Sequence, residues 1–234
     1  LHSRMIDADI GKIFCKEVHY ELRKRHYFGL AFCNLSGGYE VRNPYYKGCL
    51  KSKDVSLISH THGETQGHVC VFEGFMDFLS YMTLRQAGDR EICLEIPCDH
   101  LVMNSVNNLK KALGHLQEYP FIHCYLDNDL AGRVYGLRMM ALLEDIPMKI
   151  SKTEDCIQVE AKEKSFVLNT ERPLLAQVAE HLTIRYKMGQ WLPPKAFKDW
   201  NDCLLNKPME PVLSPNKNDR DLNLAGRRNT GIKL

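Results

Sequence analysis

The chain of 234 residues has no run of 18 apolar residues, which excludes a membrane-spanning helix of ordinary length. No secretory leader is visible, because the first 20 residues mix charged and apolar side chains throughout. None of its nine cysteines stands in CxxC spacing. Several of them (Cys70, Cys93, Cys124) lie in apolar, strand-like runs, where a free thiol behaves as a small hydrophobe. Such usage fits a reducing cytoplasm and argues against a disulfide scaffold. A strong charge of either sign is also missing. The net charge is +2, and residues 207–234 carry six basic against three acidic side chains, leaving residues 1–206 at −1. A generally basic nucleic-acid binder is therefore excluded, and any such role needs a local patch. From Pro208 the chain has little to bury, so 207–234 is expected to be a disordered basic tail.

What is present divides into parts. Residues 1–66 read as a small α+β unit. "IDADIGKIF" has helical spacing with Asp7 near its start, and "YFGLAFCN", "SGG" and "YEVRN" make a strand, a turn and a returning strand. Residues 67–206 alternate strands and helices. "HVCVF", "LVMN", "FIHCYL" and "MKIS" are strands, and Phe75–Gln86, Val106–Gln117 and Gly132–Leu143 are helices. Alternation of this kind predicts an α/β fold with a parallel sheet and crossover helices. The stretch from about 150 to 196 fits no such unit. It is expected to be an insertion with a helix near Leu174–Lys187.

The chemistry sits where strands end. Asp127 and Asp129 follow an apolar strand two residues apart, and ligands bind at that edge of a parallel sheet. Two neighbouring carboxylates repel, and a divalent cation relieves the repulsion. Oxygen donors with room for water and phosphate suit magnesium. Helix capping by Asp129 competes with that reading. DxD also occurs in phosphatases and nucleotide-sugar transferases, although Ala131 does not fit the phosphatase pattern. Glu73 also follows an apolar strand, with Gly74 next and Asp77 one helical turn on. "KDWNDCLL" adds Asp199, Asn201 and Asp202, where capping again competes. "CLEIPCDH" offers Cys93, Cys98 and His100 but no fourth zinc ligand, so it reads as core thiols and a surface histidine. The pair His60 and His62 reads as a solvated loop.

Taken in order, Glu73-Gly74, Asp127-x-Asp129-x-Ala131-Gly132-Arg133 and Lys198-Asp199-x-Asn201-Asp202 resemble a Toprim domain. This is the catalytic module of bacterial-type primases, topoisomerases and some nucleases. "GGYEVRN", "YYKGCLKSKD", "FCKEVHY" and "NSVNNLKKAL" add a resemblance to CHC2 zinc finger/Toprim primases of Bacteroides-type mobile elements. The resemblance covers roughly Met5–Met148 and Lys198–Leu205. It departs from replicative primases in the third motif, where Trp200 and Asn201 replace Pro-Asp.

The resemblance implies a Rossmann-like parallel sheet and metal-dependent nucleotidyl transfer. Primers would be made from nucleoside triphosphates on single-stranded DNA, in replication or transfer of a mobile element. It implies Mg2+ or Mn2+ held by Glu73, Asp127 and Asp129, with Asp77 and Asp199 as further ligands. Glu73, Asp127 and Asp129 would be catalytic. Arg42, Lys47, Lys51, Lys53, Arg133 and Lys198 would bind nucleotide or nucleic acid. A zinc-binding template module upstream of Leu1 and a replicative helicase are the implied partners. Strand cleavage of nuclease or topoisomerase type, and a non-catalytic DNA-binding module, are the alternatives.

Overall fold

The computed structural model describes residues 1–22, 24–60, 67–153, 156–194 and 196–206. The expected basic tail and His62 lie outside the described residues. No described helix is long and apolar enough to cross a membrane.

The chain opens with a 3-10 turn, His2–Arg4, and helix α1 (Ala8–Phe14). Asp7 caps α1 by accepting from the amides of Asp9 and Ile10. Strands β1 (Cys15–Leu22), β2 (Arg25–Cys33), β3 (Tyr39–Asn43) and β4 (Tyr46–Leu50) follow as an antiparallel meander in that spatial order. The β2–β3 turn holds Gly37 at φ 71°, a left-handed conformation that glycine adopts without strain. Strand β1 has no core face to announce it in sequence. It is an edge strand, and Cys15 to Glu21 are exposed or partly so.

The second sheet is built from β5 (Ser56–Ile58), β6 (His68–Phe72), β7 (Asp99–Val102), β8 (Phe121–Tyr125) and a late strand. Helix α2 (Phe75–Gln86) joins β6 to β7. A 3-10 turn (Val106–Asn108) and α3 (Leu109–Leu116) join β7 to β8. Helix α4 (Leu130–Leu143) leaves β8. Strands β9 (Met148–Lys152), β10 (Cys156–Ala161) and β11 (Lys164–Asn169) come next, then α5 (Leu174–His181), β12 (Lys187–Gln190) and α6 (Trp200–Leu204). The sheet order is β12-β8-β6-β7-β5, parallel except for β5. The fold is thus the mixed α/β class that strand–helix alternation predicts. Strand β5 precedes the expected boundary at residue 66 yet belongs to this sheet.

Three expectations need correction. "MKIS" does not close the parallel series. As β9 it pairs antiparallel with β10 in a separate sheet, β11-β10-β9. It has only half-buried and exposed residues, whereas an inner parallel strand needs buried apolar residues on both faces. Its place at the sheet edge falls to β12, from inside the expected insertion. The helix expected over Leu174–Lys187 ends at His181, ahead of the β-branched Thr183 and Ile184. His100, expected at the surface, is buried at 5% exposure.

The parallel sheet carries a core on each face. In β6, Val69 and Val71 join the core under α3, α4 and α5, while Cys70 and Phe72 join the core under α1, α2 and α6. This follows from period-two alternation in a strand buried on both sides. The second core is aromatic. Phe72 lies 5.2 Å from Tyr81, 5.3 Å from Tyr125 and 5.7 Å from Phe78, centroid to centroid. Phe78 also meets Phe14 at 4.9 Å and Phe32 at 5.7 Å. Phe78→Ala is therefore expected to cost about 3–5 kcal/mol, measured as a lowered denaturant midpoint. A cost under about 1 kcal/mol would contradict this packing.

Candidate functional site

Strands β6 and β8 are neighbours, with Phe72 in register with Tyr125. Glu73 follows the first strand and Asp127 lies just beyond the second, so two adjacent parallel strands deliver their acids to one edge. Asp77 stands in the first turn of α2, and its Oδ1 is buried with no hydrogen-bond partner among the described residues. Its other contact is a hydrogen bond from the Asn201 amide.

Asp129 and Asp199 both cap helices, as the capping reading expects, and each cap leaves the second carboxylate oxygen outside it. Asp129 is the N-cap of α4, its Oδ1 accepting from the Gly132 amide at 2.8 Å. Its Oδ2 lies 3.6 Å from the Lys198 Nζ. Asp199 caps α6 with its Oδ1, accepting from the Asp202 amide at 2.7 Å. Each cap uses one oxygen of the pair. Asp127 lies outside the caps, with its Oδ2 3.8 Å from the Lys198 Nζ. Residue 132 has to be glycine. A Cβ there would stand 2.5 Å from the Asp127 carbonyl oxygen, which would block the close approach of α4.

The electrostatics follow from this crowding. Burial, then the charges of Glu73 and Asp199, push the Asp127 carboxyl from an ordinary 3.8 up to about 7, although Lys198 opposes them. Burial, then Asp199, Asp127 and Glu73, hold Asp77 well above the carboxylate range. Burial, then Asp129, raise Glu73. Burial alone would lower Lys198, but the charges of Asp127, Asp129 and Asp199 outweigh it and raise its ammonium.

Opposite the acids stands the β3–β4 hairpin. Arg42 and Lys47 are cross-strand partners and, with Lys53 and Glu40, line the same cleft of about 500 Å3 as Glu73, Asp77, Asp127, Lys198 and Asp199. The Arg42 Nε is buried without a partner among the described residues. Burial and the Arg4 charge lower Arg42, and Asp77 and Asp199 counteract them across the cleft.

Two expected phosphate binders are not brought here. Arg133 donates to the carbonyls of Thr170 and Arg172 (2.7 Å to the latter), which ties α4 to the loop before α5. Lys51, at φ 63° just past β4, is not among the cleft-lining residues. Asn201 is unavailable as a ligand. It is buried, its Oδ1 accepts from Arg4 at 2.8 Å, and its Nδ2 donates to the Arg4 carbonyl and the Ser80 hydroxyl.

Three further residues contribute that the sequence does not single out. Asn128, between the two aspartates, donates from its amide to the Lys198 carbonyl at 2.7 Å. Its side chain donates to the carbonyls of Pro193 and Phe197. It latches the segment carrying Lys198 and Asp199 against the β8–α4 loop. Asn104 and Ser105, after β7, add a third strand end to the cleft wall.

With this geometry in hand, the comparisons with known proteins are specific. Residues 70–159 match the family model described as Toprim-like, and residues 1–51 match a domain of unknown function (DUF8464). Among solved structures, the chain is similar to the primase fragment of the bacteriophage T7 primase-helicase protein. The identity is 16% and the TM-score 0.50, over 88% of this chain and 68% of that one. At that identity the likeness speaks for the fold. No curated protein matches the chain. The chain therefore contains a Toprim-like domain, within an overall fold like that of a primase fragment.

Two outcomes follow from the crowding. In chelator, Asp127 holds its proton more tightly folded than unfolded. Its contribution is fully present below about pH 4 and is lost as pH rises through about 7. Stability should fall across that window, and Asp127→Asn should flatten the fall in melting temperature; an unchanged slope would refute the shift. Gly132→Ala should cost about 1–3 kcal/mol in thermal or denaturant unfolding, because the obstructing atom is backbone.

Proposed function

We propose that this chain is the nucleotidyl-transfer part of a primase-like enzyme, joining nucleoside triphosphates into primers on single-stranded DNA. One observation carries the reading: carboxylates from two adjacent strand ends face a basic hairpin across one cleft. The donor set fits a divalent cation. Asp77 has a buried oxygen with no hydrogen-bond partner among the described residues, and Asp127 is driven toward protonation although Lys198 is beside it. All the donors are hard oxygens, which suit magnesium or manganese.

In this reading Glu73, Asp127 and Asp129 hold the ion, with Asp77 and Asp199 as further or outer ligands. When bound, the ion supplies positive charge to the attacking and leaving oxygens of the transfer. Arg42, Lys47 and Lys53 orient the triphosphate from the opposite wall, and Lys198 offsets charge between Asp127 and Asp129. Glu73 either completes the ion's ligands or, left free of it, accepts the proton of a 3′-hydroxyl. Arg133 and Lys51 take no part. A zinc-binding template module, a replicative helicase and a bacterial mobile-element setting belong to the same proposal.

Asp127→Asn tests it. Primer synthesis in magnesium should fall about a hundredfold or more, since a charged group at the transition state is lost. The melting temperature in chelator should hold or rise, since a repulsive charge is gone. An active Asp127→Asn protein would refute the metal role. Magnesium- or manganese-dependent cleavage of plain DNA, without primer synthesis, would instead identify a strand-cleaving enzyme. DNA binding with neither activity would identify a binding module.

A further inference from the structure

A second set of donor atoms converges in the aromatic core, apart from the carboxylates. Cys70 lies in β6 and His100 in β7, and the parallel register sets them opposite each other. Cys98 precedes His100 by two residues and so points to the same face. The Cys70 and Cys98 Sγ atoms are 3.5 Å apart, and the Cys98 Sγ is 3.7 Å from the His100 Nε2. The three donor atoms lie within 4.8 Å of one another. Both cysteines are free thiols at 0% exposure, and His100 is at 5%.

Those separations suit one ion. With Zn–S near ~2.3 Å and Zn–N near ~2.0 Å, tetrahedral angles set two sulfurs roughly 3.8 Å apart, and a sulfur and a nitrogen roughly 3.5 Å apart. Two thiolates and a neutral imidazole cancel the charge of a dication, so the assembly can be buried without net charge. Sulfur donors select zinc over magnesium, so this site and the carboxylates sort different ions. The next polar atom is the Tyr81 hydroxyl, 4.0 Å from the Cys70 Sγ and accepting from the Leu94 amide. It is placed to hydrogen-bond a zinc-bound thiolate.

We propose that Cys70, Cys98 and His100 form a buried zinc site with three protein ligands. The site is structural. The segment between α2 and β7 has no helix or strand, and the ion anchors its end, at Cys98, to the central strand. Glu73 directly follows that strand, three residues beyond Cys70, so the ion would brace the floor of the cleft. The proposal is independent of the nucleotidyl-transfer reading.

The spacing of "CLEIPCDH" pairs Cys98 with Cys93, whereas the structure pairs it with Cys70. Cys93 donates its thiol to the Tyr81 carbonyl at 3.5 Å and stands outside the cluster. That difference supplies the control. The full chain is refolded with cobalt(II) and scanned for thiolate-to-cobalt charge-transfer absorption, which carboxylate ligands do not give. One equivalent should saturate the band, and zinc should bleach it. Cys70→Ser and Cys98→Ser should abolish it, and His100→Gln should weaken cobalt binding at least tenfold. Cys93→Ser should keep it intact. Absence of the band in the wild-type chain overturns the proposal even if every variant misfolds. Its persistence in folded Cys98→Ser, or its loss in folded Cys93→Ser, overturns it as well.

Discussion

The proton affinities of Glu73, Asp77 and Asp127 are all raised, first by burial and then by one another and by the nearby Asp129 and Asp199. Repulsion of this kind does not assemble itself, and it persists only where the surroundings leave no alternative. Here the surroundings are two strands buried on both faces, whose register puts Phe72 beside Tyr125 and their following acids side by side. Neither strand can slip by one residue without exchanging its two core faces. The unfavourable charge is thus fixed in place by the sheet, and Lys198 offsets part of it.

The same carboxylates also close helices. Asp129 and Asp199 each give one oxygen to a backbone amide at a helix start. In Asp129 the other oxygen faces Lys198. Capping and ligation are usually weighed against each other, but a carboxylate has two oxygens and can serve both. The cap also fixes the rotation of the side chain, and in Asp129 it thereby aims the second oxygen at Lys198.

How much of this the sequence discloses depends on how local the cause is. Strands β6 and β8 are legible as apolar runs, α2 runs over the expected Phe75–Gln86, and Glu73 and Asp127 stand out as acids directly after buried strands. Edge strands hide. β1 is exposed or half-buried from Cys15 to Glu21, and β12 is four residues with a single buried member. Side-chain destinations hide further. Nothing near Arg133 in the chain shows that its guanidinium ends on carbonyls 37 and 39 residues away. Asn128 looks like a spacer between two acids because its partners lie 65 and 69 residues downstream. The carboxylate set was readable from sequence, whereas the contacts that aim it are tertiary.

The hydrogen bonds between Arg4 and Asn201 span 197 residues. Their partner Asn201 sits in α6, beside Asp199 and behind the Asn128 latch. On a ribosome, where synthesis runs from the amino end, the hairpin and the central strands emerge long before α6 does. Through that interval the acids of β6 and β8 lack both Lys198 and the cleft wall that Asp199 completes. Closing so long a loop is also the entropically costliest contact, and it comes late. The cleft wall is therefore complete only once α6 has docked beside Arg4, although its acids stand on strands made much earlier.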